Sequence, residues 1–266
     1  MLEVSQDLCA EADELQAFLA TLDAADWARP TTFMGWTPWD VVAHLHFFDR
    51  VSLRSLEGPE AFAPRRDALV AAMRAGRTNA EIAREELGDL DPGELVERWH
   101  ATCRTLADRL GRSDPKRRLP WFGPDMGVAM FSTARFMETW AHGQEIYDLK
   151  RVRRIPSDRI RHVAEIGIRT FGWTFANRGL APPGPPPHVR LVAPSGRVWE
   201  WNEPSESEFV RGNAVEFCQV VTQVRNVADT RLQVRGEVAR RWMSIAQCFA
   251  GGPVDPPKPG ARTWEA

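Results

Sequence analysis

A proline-rich stretch divides this chain into two parts of different character. It covers residues 177–188 and reads NRGLAPPGPPPH. Proline lacks the amide donor that a helix needs and clashes with the preceding turn, so no helix can run through this stretch. The residues before it show helical periodicity, and those after it show the alternation and turn residues of strands. We therefore predict a helical domain over residues 1–178 and a small α+β domain over residues 179–266.

The first part is predicted to be an up-down helical bundle, which makes the fold class mainly α. Its clearest helix start is Thr37-Pro38, because Asp40 follows three residues after Thr37 and completes a variant of the capping box. The other boundaries follow from apolar periodicity and from glycine and proline positions. The predicted helices cover residues 3–23, 38–56, shorter segments within 59–88, 91–110, 128–149 and 157–176, with a loop over 111–127.

The second part mixes strand and helix patterns. Residues 188–202, HVRLVAPSGRVWEWN, predict two strands around a turn at 194–196. Helical segments are predicted over 204–222, a short strand over 230–235, and a closing helix that ends at a glycine near residue 251. This pattern is typical of a small α+β domain.

Composition excludes several classes of protein. Hydrophobic residues make up 43% and charged residues 26%, and the formal net charge is -2, so neither wholesale disorder nor a nucleic-acid partner is expected. No apolar window is long enough to span a membrane, and the N-terminal segment lacks the basic start of a signal peptide. The four cysteines lie far apart without CxxC spacing, which predicts buried thiols in a reducing compartment. We expect a cytoplasmic protein without membrane or nucleic-acid partners.

A glutamate and a histidine four residues apart form the first candidate site. Glu138 and His142 fall within the predicted helix 128–149. Residues at this spacing share one helix face, with Cβ atoms about 5–6 Å apart, so both side chains can hold one cation. The same spacing also occurs in exposed hydrogen-bonded pairs without a metal, and the pair alone leaves both interpretations open.

Two further histidines lie in the middle of the predicted helix 38–56. His44 and His46 are two residues apart, which places them about 200° apart around the helix axis, so they cannot both face one centre. His44 is in line with Val41 and Phe48, and this favours an inward orientation without settling it.

His44, Glu138 and His142 together offer three ligands from two helices. Three protein ligands and an open position are typical of catalytic zinc, although the same donors also suit nickel, iron or manganese. Three carboxylates near these residues are candidate hydrogen-bond acceptors behind the ligands: Asp40, Glu145 and Asp148.

Two segments carry a family resemblance. GWTPWDVVAHLHFFD at 35–49 and METWAHGQEIYD at 137–148 together resemble the DinB-like superfamily, and specifically its mycothiol-dependent maleylpyruvate isomerase group of actinobacterial proteins. The resemblance implies a DinB-like up-down four-helix bundle followed by a small α+β C-terminal domain. It also implies a metal triad of His44, Glu138 and His142, whereas His46 lies outside the family pattern.

The resemblance further implies a chemistry. The expected cofactors are a divalent metal, foremost Zn²⁺ with Ni²⁺, Fe²⁺ or Mn²⁺ as alternatives, and mycothiol or a similar thiol as cosubstrate. The expected activity is that of a thiol S-transferase or isomerase acting on a small-molecule electrophile, with the metal favouring the thiolate. A non-catalytic metal-binding protein and a metal-dependent hydrolase remain alternatives. A homodimer is a further hypothesis.

Three tryptophans lie in or near these segments. Trp36 and Trp39 are candidate walls of the pocket, and Trp140 is assigned to the core.

Overall fold

The computed structural model describes residues 2–88 and 90–263, which group into two units that divide between Lys150 and Arg151. The first unit is mainly helical with one short hairpin, and the second combines helices with a sheet. Among the described residues, none of the helices combines the length and the hydrophobicity needed to cross a bilayer. The predicted fold class, mainly α, is confirmed.

Four long helices dominate the first unit. Helix α1 packs against α6 and α7, and α3 packs mainly against α6. The helices of this unit are α1 Glu3–Leu19, α2 Ala24–Ala28, α3 Pro38–Glu57, α4 Pro59–Arg74, α5 Asn79–Leu87, α6 Pro92–Arg112 and α7 Val128–Lys150. The first helix is shorter than its predicted range of 3–23, because Asp23 caps the separate helix α2 through a reciprocal capping box with Asp26.

The start of α3 matches its prediction in detail. The amide of Asp40 donates to Thr37 Oγ1 at 3.3 Å, and the amide of Thr37 donates to Asp40 Oδ2 at 2.9 Å. Pro38 occupies the first helical position, where its missing donor costs nothing. This box fixes the residue at which α3 begins and therefore the direction in which each of its side chains points.

The predicted loop 111–127 contains a small hairpin. Strand β1, Arg118–Leu119, pairs antiparallel with β2, Met126–Gly127, immediately before α7. Strands of two residues are too short to produce an alternating pattern, so the sequence did not indicate them. Leu119 is fully buried and packs in a core cluster with residues of α6 and α7, which ties this loop to the bundle.

The second unit contains a four-stranded sheet with helices. The strand order is β4-β3-β5-β6, in which β3 pairs antiparallel with β4 and parallel with β5, and β5 pairs antiparallel with β6. The elements of this unit are α8 Arg161–Arg169, α9 Phe171–Ala176, β3 His188–Val192, β4 Val198–Trp201, β5 Phe209–Asn213, α10 Ala214–Val221, β6 Gln233–Arg235 and α11 Glu237–Ile245.

The boundary between the units differs from the predicted position at 178/179. Helices α8 and α9 belong to the second unit, because α8 packs against α10 and α9 packs against α11. At Gly167 of α8 a Cβ atom would lie 2.8 Å from Val221 Cγ2 of α10, so this contact is closer than a larger residue permits. The proline-rich stretch therefore connects two elements within the second unit and is not the linker between units.

The predicted helix 204–222 begins later than expected. Residues 209–213 form β5, with Phe209 and Val210 buried in the sheet. Asn213 then caps α10 by accepting the amide of Val215 at 2.8 Å. The parallel pairing of β5 with β3 joins residues about twenty positions apart, and a local pattern does not reveal such a partner.

The capping box of α3 supports a first prediction. Thr37→Ala removes the acceptor of the Asp40 amide, so the free energy of unfolding of the first unit should fall by about 1 kcal/mol. Urea denaturation followed by circular dichroism measures this change. Thr37→Ser keeps the hydroxyl and is the matched control, which should unfold close to wild type. Equal stability of the alanine and serine variants would contradict the role of the cap.

Candidate metal centre

Helices α3 and α7 present three candidate ligands to one point. His44 Nε2 lies 3.7 Å from Glu138 Oε2, and His142 Nε2 lies 3.3 Å from the same oxygen. One ligand atom from each residue falls within 4.8 Å of the others. In the part of the chain that the structure describes, no second group of three such residues meets this criterion. The structure thus brings together all three residues that the sequence singled out.

The separations fit a small divalent cation. Zinc binds nitrogen and oxygen donors at about 2.0–2.1 Å, so neighbouring ligands of a tetrahedral site lie about 3.3–3.4 Å apart. The observed 3.3 Å and 3.7 Å to Glu138 Oε2 lie close to this separation, and the two histidine nitrogens lie within 4.8 Å of each other. The donor set, two imidazoles and one carboxylate, also has the charge and softness that zinc and its neighbours in the first transition row accept. The three residues therefore fit the implied metal.

A fourth residue orients one of the histidines. His142 Nδ1 lies 3.3 Å from Glu145 Oε1, one turn further along α7. A carboxylate at this nitrogen favours a proton on Nδ1 and leaves Nε2 to face Glu138. Of the three candidate acceptors, the structure places Glu145 behind a ligand. Asp148 accepts instead from Gln144 Nε2 at 2.9 Å, and Asp40 is engaged by the α3 cap and by Arg84 Nε at 2.7 Å.

The pKa values of the three candidate ligands are shifted by burial and by the charges of neighbouring side chains. Burial disfavours ionised Glu138, but hydrogen bonds and positive charge from His142 and His44 outweigh it and hold the pKa of Glu138 well below its usual range. Burial also disfavours protonated His142, yet Glu145 and Glu138 together raise the pKa of His142 to about 10. Burial lowers the pKa of His44 to about 4, and the positive charge of His142 adds to this effect.

Aromatic rings surround the two histidines. The Trp36 ring stacks on His142 with centroids 5.8 Å apart and tilts against His44 at 5.1 Å. Phe33 contacts His142 edge-on at 5.3 Å, and Phe48 lies 4.7 Å from His44. The Glu138 side chain keeps 23% of its surface exposed, about twice the fraction of either histidine. The carboxylate is therefore the most accessible part of the group, within an apolar border.

Of the other two tryptophans, Trp39 does not border the candidate ligands, whereas Trp140 lies in the core. Trp39 points away from the group, since its Nε1 donates to the carbonyl of Leu90 and Arg84 lies over its ring. Trp140 is 2% exposed and belongs to the core, as predicted. Sequence reasoning did not single out Phe33 or Phe48 as border residues. The spacing of four between His44 and Phe48 was a usable signal for Phe48, whereas Phe33 lies outside any helix.

A tight turn brings Phe33 and Trp36 to the site. The Trp36 amide donates to the Phe33 carbonyl at 2.9 Å. The two residues between them, Met34 and Gly35, have φ of 52° and 71°. Positive φ at both central positions is the signature of a type I′ turn. Glycine adopts this conformation freely, whereas Met34 occupies a region that is unfavourable for a residue with a side chain.

His46 lies outside the ligand group although it is also buried. Burial lowers the pKa of His46 to about 4, and the nearby positive charges of Arg50 and Arg98 act in the same direction. It therefore offers a matched control for substitutions at His44, two residues away.

The contact between Glu145 and His142 supports a second prediction. In metal-free protein, Glu145→Gln removes a negative charge that stabilises protonated His142, so the pKa of His142 should fall by roughly 1–3 pH units. Titration of the ring by NMR measures this pKa. Asp148→Asn, on the same helix, is the control and should leave it in place. An unchanged pKa in the Glu145 variant would contradict the orienting role.

Comparisons with known proteins place this architecture in a family. The family described as mycothiol maleylpyruvate isomerase N-terminal domain matches residues 8–147. Two Mycobacterium tuberculosis proteins, "Uncharacterized protein Rv0036c" (strain ATCC 25618 / H37Rv) and "Uncharacterized protein MT0041" (strain CDC 1551 / Oshkosh), are each 40% identical over 247 residues, covering 93% of this chain and 95% of theirs.

Solved structures agree in fold. A crystal structure of the mycothiol-dependent maleylpyruvate isomerase superposes with a TM-score of 0.51, and a mutant of it with 0.53, each covering 82% of this chain and 87% of that chain. Sequence identity is 12%, so this likeness concerns the fold alone. The resemblance carried by the two motifs is confirmed, and the chain belongs to the family defined by the mycothiol maleylpyruvate isomerase N-terminal domain.

Proposed function

We propose that this chain is a divalent-metal-dependent enzyme that uses a small thiol, such as mycothiol, as a nucleophile. The convergence of His44, Glu138 and His142 is the observation that carries the proposal. Membership of the family supports a thiol cosubstrate, and the mycothiol-dependent isomerase named for the matching fold supports the same chemistry. The reaction is either thiol S-transfer or thiol-dependent isomerisation of a small electrophile.

The three ligands are the residues that would hold the metal. Zinc is our first assignment, and nickel, iron and manganese suit the same donors. When bound, a divalent cation lowers the pKa of a coordinated thiol, so that the nucleophilic thiolate prevails at neutral pH.

The protein's own side chains prepare the site for this chemistry. Glu145 holds a proton at His142 Nδ1 and so keeps Nε2 directed at the ligand point. Glu138 supplies the negative charge that makes the point attractive to a cation. Trp36, Phe33 and Phe48 limit the access of water, and their rings offer an apolar surface to the carbon skeleton of an electrophile.

The two reactions begin alike and differ in their outcome. In both, the thiolate sulfur forms a bond to an electrophilic carbon. In transfer, the leaving group departs with the bonding electrons and the thiol is consumed as a thioether. In isomerisation, the thiolate adds to a conjugated double bond and the resulting single bond rotates. Elimination of the thiolate then restores the double bond, and the thiol is recovered unchanged.

We further propose that the protein works in the cytoplasm with small molecules as its partners. All four cysteines are free thiols, three of them buried. Free cysteines are typical of a reducing compartment, which also keeps small thiols reduced and available.

Metal content provides the third prediction and the primary test. Wild type should bind about one divalent metal per chain, and His44→Ala, Glu138→Ala and His142→Ala should each lose it because three ligands are needed. Elemental analysis after reloading and gel filtration measures the content. His46→Ala removes a buried histidine two residues from His44 and should retain the metal. Retention in all three ligand variants, or absence from reloaded wild type, would refute the proposed centre.

Thiol binding provides the fourth prediction. Cobalt(II) has visible bands that report its ligands, so addition of mycothiol to cobalt-loaded protein should shift the spectrum. The S-methylated thiol cannot ionise and is the control that should leave the spectrum in place. No shift with mycothiol would favour a non-catalytic metal-binding protein.

Activity assays with different substrates distinguish isomerisation from thiol transfer. Maleylpyruvate, with a catalytic amount of mycothiol, tests for isomerisation, and 1-chloro-2,4-dinitrobenzene with stoichiometric thiol tests for transfer. The activity that wild type shows should disappear in Glu138→Ala and persist in His46→Ala. Hydrolysis of ester or amide substrates without added thiol would instead identify a metallohydrolase.

A further inference from the structure

The two helices that carry the ligands meet each other less extensively than they meet other helices. Helix α3 packs mainly against α6, and α7 packs mainly against α1. The relative position of α3 and α7 nevertheless decides whether His44 reaches Glu138 and His142. The hydrophobic effect is non-directional, so a directional contact between these two helices helps to fix their register.

One buried ion pair joins α3 directly to α7. Arg135 Nε donates to Asp49 Oδ1 at 2.9 Å, and the two side chains are 5% and 0% exposed. Arg135 precedes Glu138 by three residues and His142 by seven, so all three share one face of α7. Asp49 follows His44 by five residues on α3. The pair therefore lies just under one turn from the nearest ligand on α7 and about one and a half turns from His44 on α3, and neither residue is part of the ligand group.

The pair is not explained by stability. Two charges removed from water lose hydration that their attraction repays only when their remaining polar atoms are also satisfied. Asp49 Oδ2 and Arg135 Nη2 make no hydrogen bond of good geometry among the described residues, although Trp99 and Cys103 of α6 lie close enough to the Asp49 carboxylate to lower its pKa. Burial raises the pKa of Asp49 even though the Arg135 guanidinium opposes this. Replacement of a buried ion pair by apolar side chains of similar volume is often neutral or stabilising, so stability alone does not account for this pair.

We propose that the Asp49–Arg135 ion pair is a positioning device that sets the register of α7 against α3 and thereby brings His44 into line with Glu138 and His142. The inference rests on the proposed metal function, because its consequence is the geometry of the ligand group. The pair acts through the two helices and does not itself bind metal or substrate. Its loss should weaken metal binding without a matching loss of stability.

The deciding experiment is a double substitution that removes both charges together. Asp49→Leu combined with Arg135→Met fills the space with helix-forming apolar side chains and leaves no unpaired buried charge. The full chain carrying both changes should melt at or above the wild-type temperature. Its zinc affinity, measured by competition with a chromophoric chelator, should fall at least tenfold, and the spectrum of its cobalt form should change.

A destabilised control separates positioning from general stability. Leu15→Ala opens a cavity in α1, which packs on α6 and α7, and leaves both residues of the ion pair intact. This variant should melt at a lower temperature and keep the wild-type zinc affinity and cobalt spectrum. The two variants should therefore behave oppositely. The double variant keeps its thermal stability and loses zinc affinity, whereas Leu15→Ala loses thermal stability and keeps zinc affinity.

The outcomes distinguish this inference from the proposed function. If wild type binds zinc and the folded double variant binds it within twofold, the positioning role is overturned while the metal centre stands. If wild type binds no metal, both the proposed function and this inference are refuted. If the double variant does not fold, Arg135→Lys decides, because it keeps the charge but loses the planar fork. A severalfold loss of zinc affinity in that folded variant supports the role, and wild-type affinity overturns it.

Discussion

The carboxylate of Glu138 between two imidazoles is the interaction on which the rest of the site depends. It is held where burial penalises an isolated negative charge, so a positive partner is required. In the protein alone, the proton of His142 supplies that charge, and Glu145 helps to raise the pKa of His142 to about 10. In the metal centre that we propose, a divalent cation and a proton would compete for the lone pair of His142 Nε2. The metal affinity of that centre would therefore depend on pH.

Features that depend on residues close in sequence were predictable. The α3 cap needs a hydroxyl and a carboxylate three residues apart, and Thr37 and Asp40 show that spacing directly. The shared face of Glu138 and His142 follows from helix geometry alone. For His44 and His46, the same geometry established that only one could join the site, and the family resemblance favoured His44. The structure places His44 in the ligand group and His46 outside it.

Features that depend on distant partners were not predictable. The proline-rich stretch correctly excludes a helix, but it carries no information on which elements pack together, and so it misplaced the boundary between the units. The pairing of β5 with β3 and the contact of Arg135 with Asp49 both join residues whose local patterns show no sign of each other. Tertiary contacts of this kind override local preference, and they decide how the site is built.

Two features near the candidate ligands are not accounted for by stability alone. Met34 lies in the left-handed region with 69% of its surface exposed, a conformation that costs about 1 kcal/mol and gains little from burial. The turn that contains it places Phe33 and Trp36 against the histidines. The Asp49–Arg135 pair likewise buries charges that an apolar core does not need. A fold optimised for stability alone would retain neither, so both are better explained by the geometry that they impose on the ligands and their border.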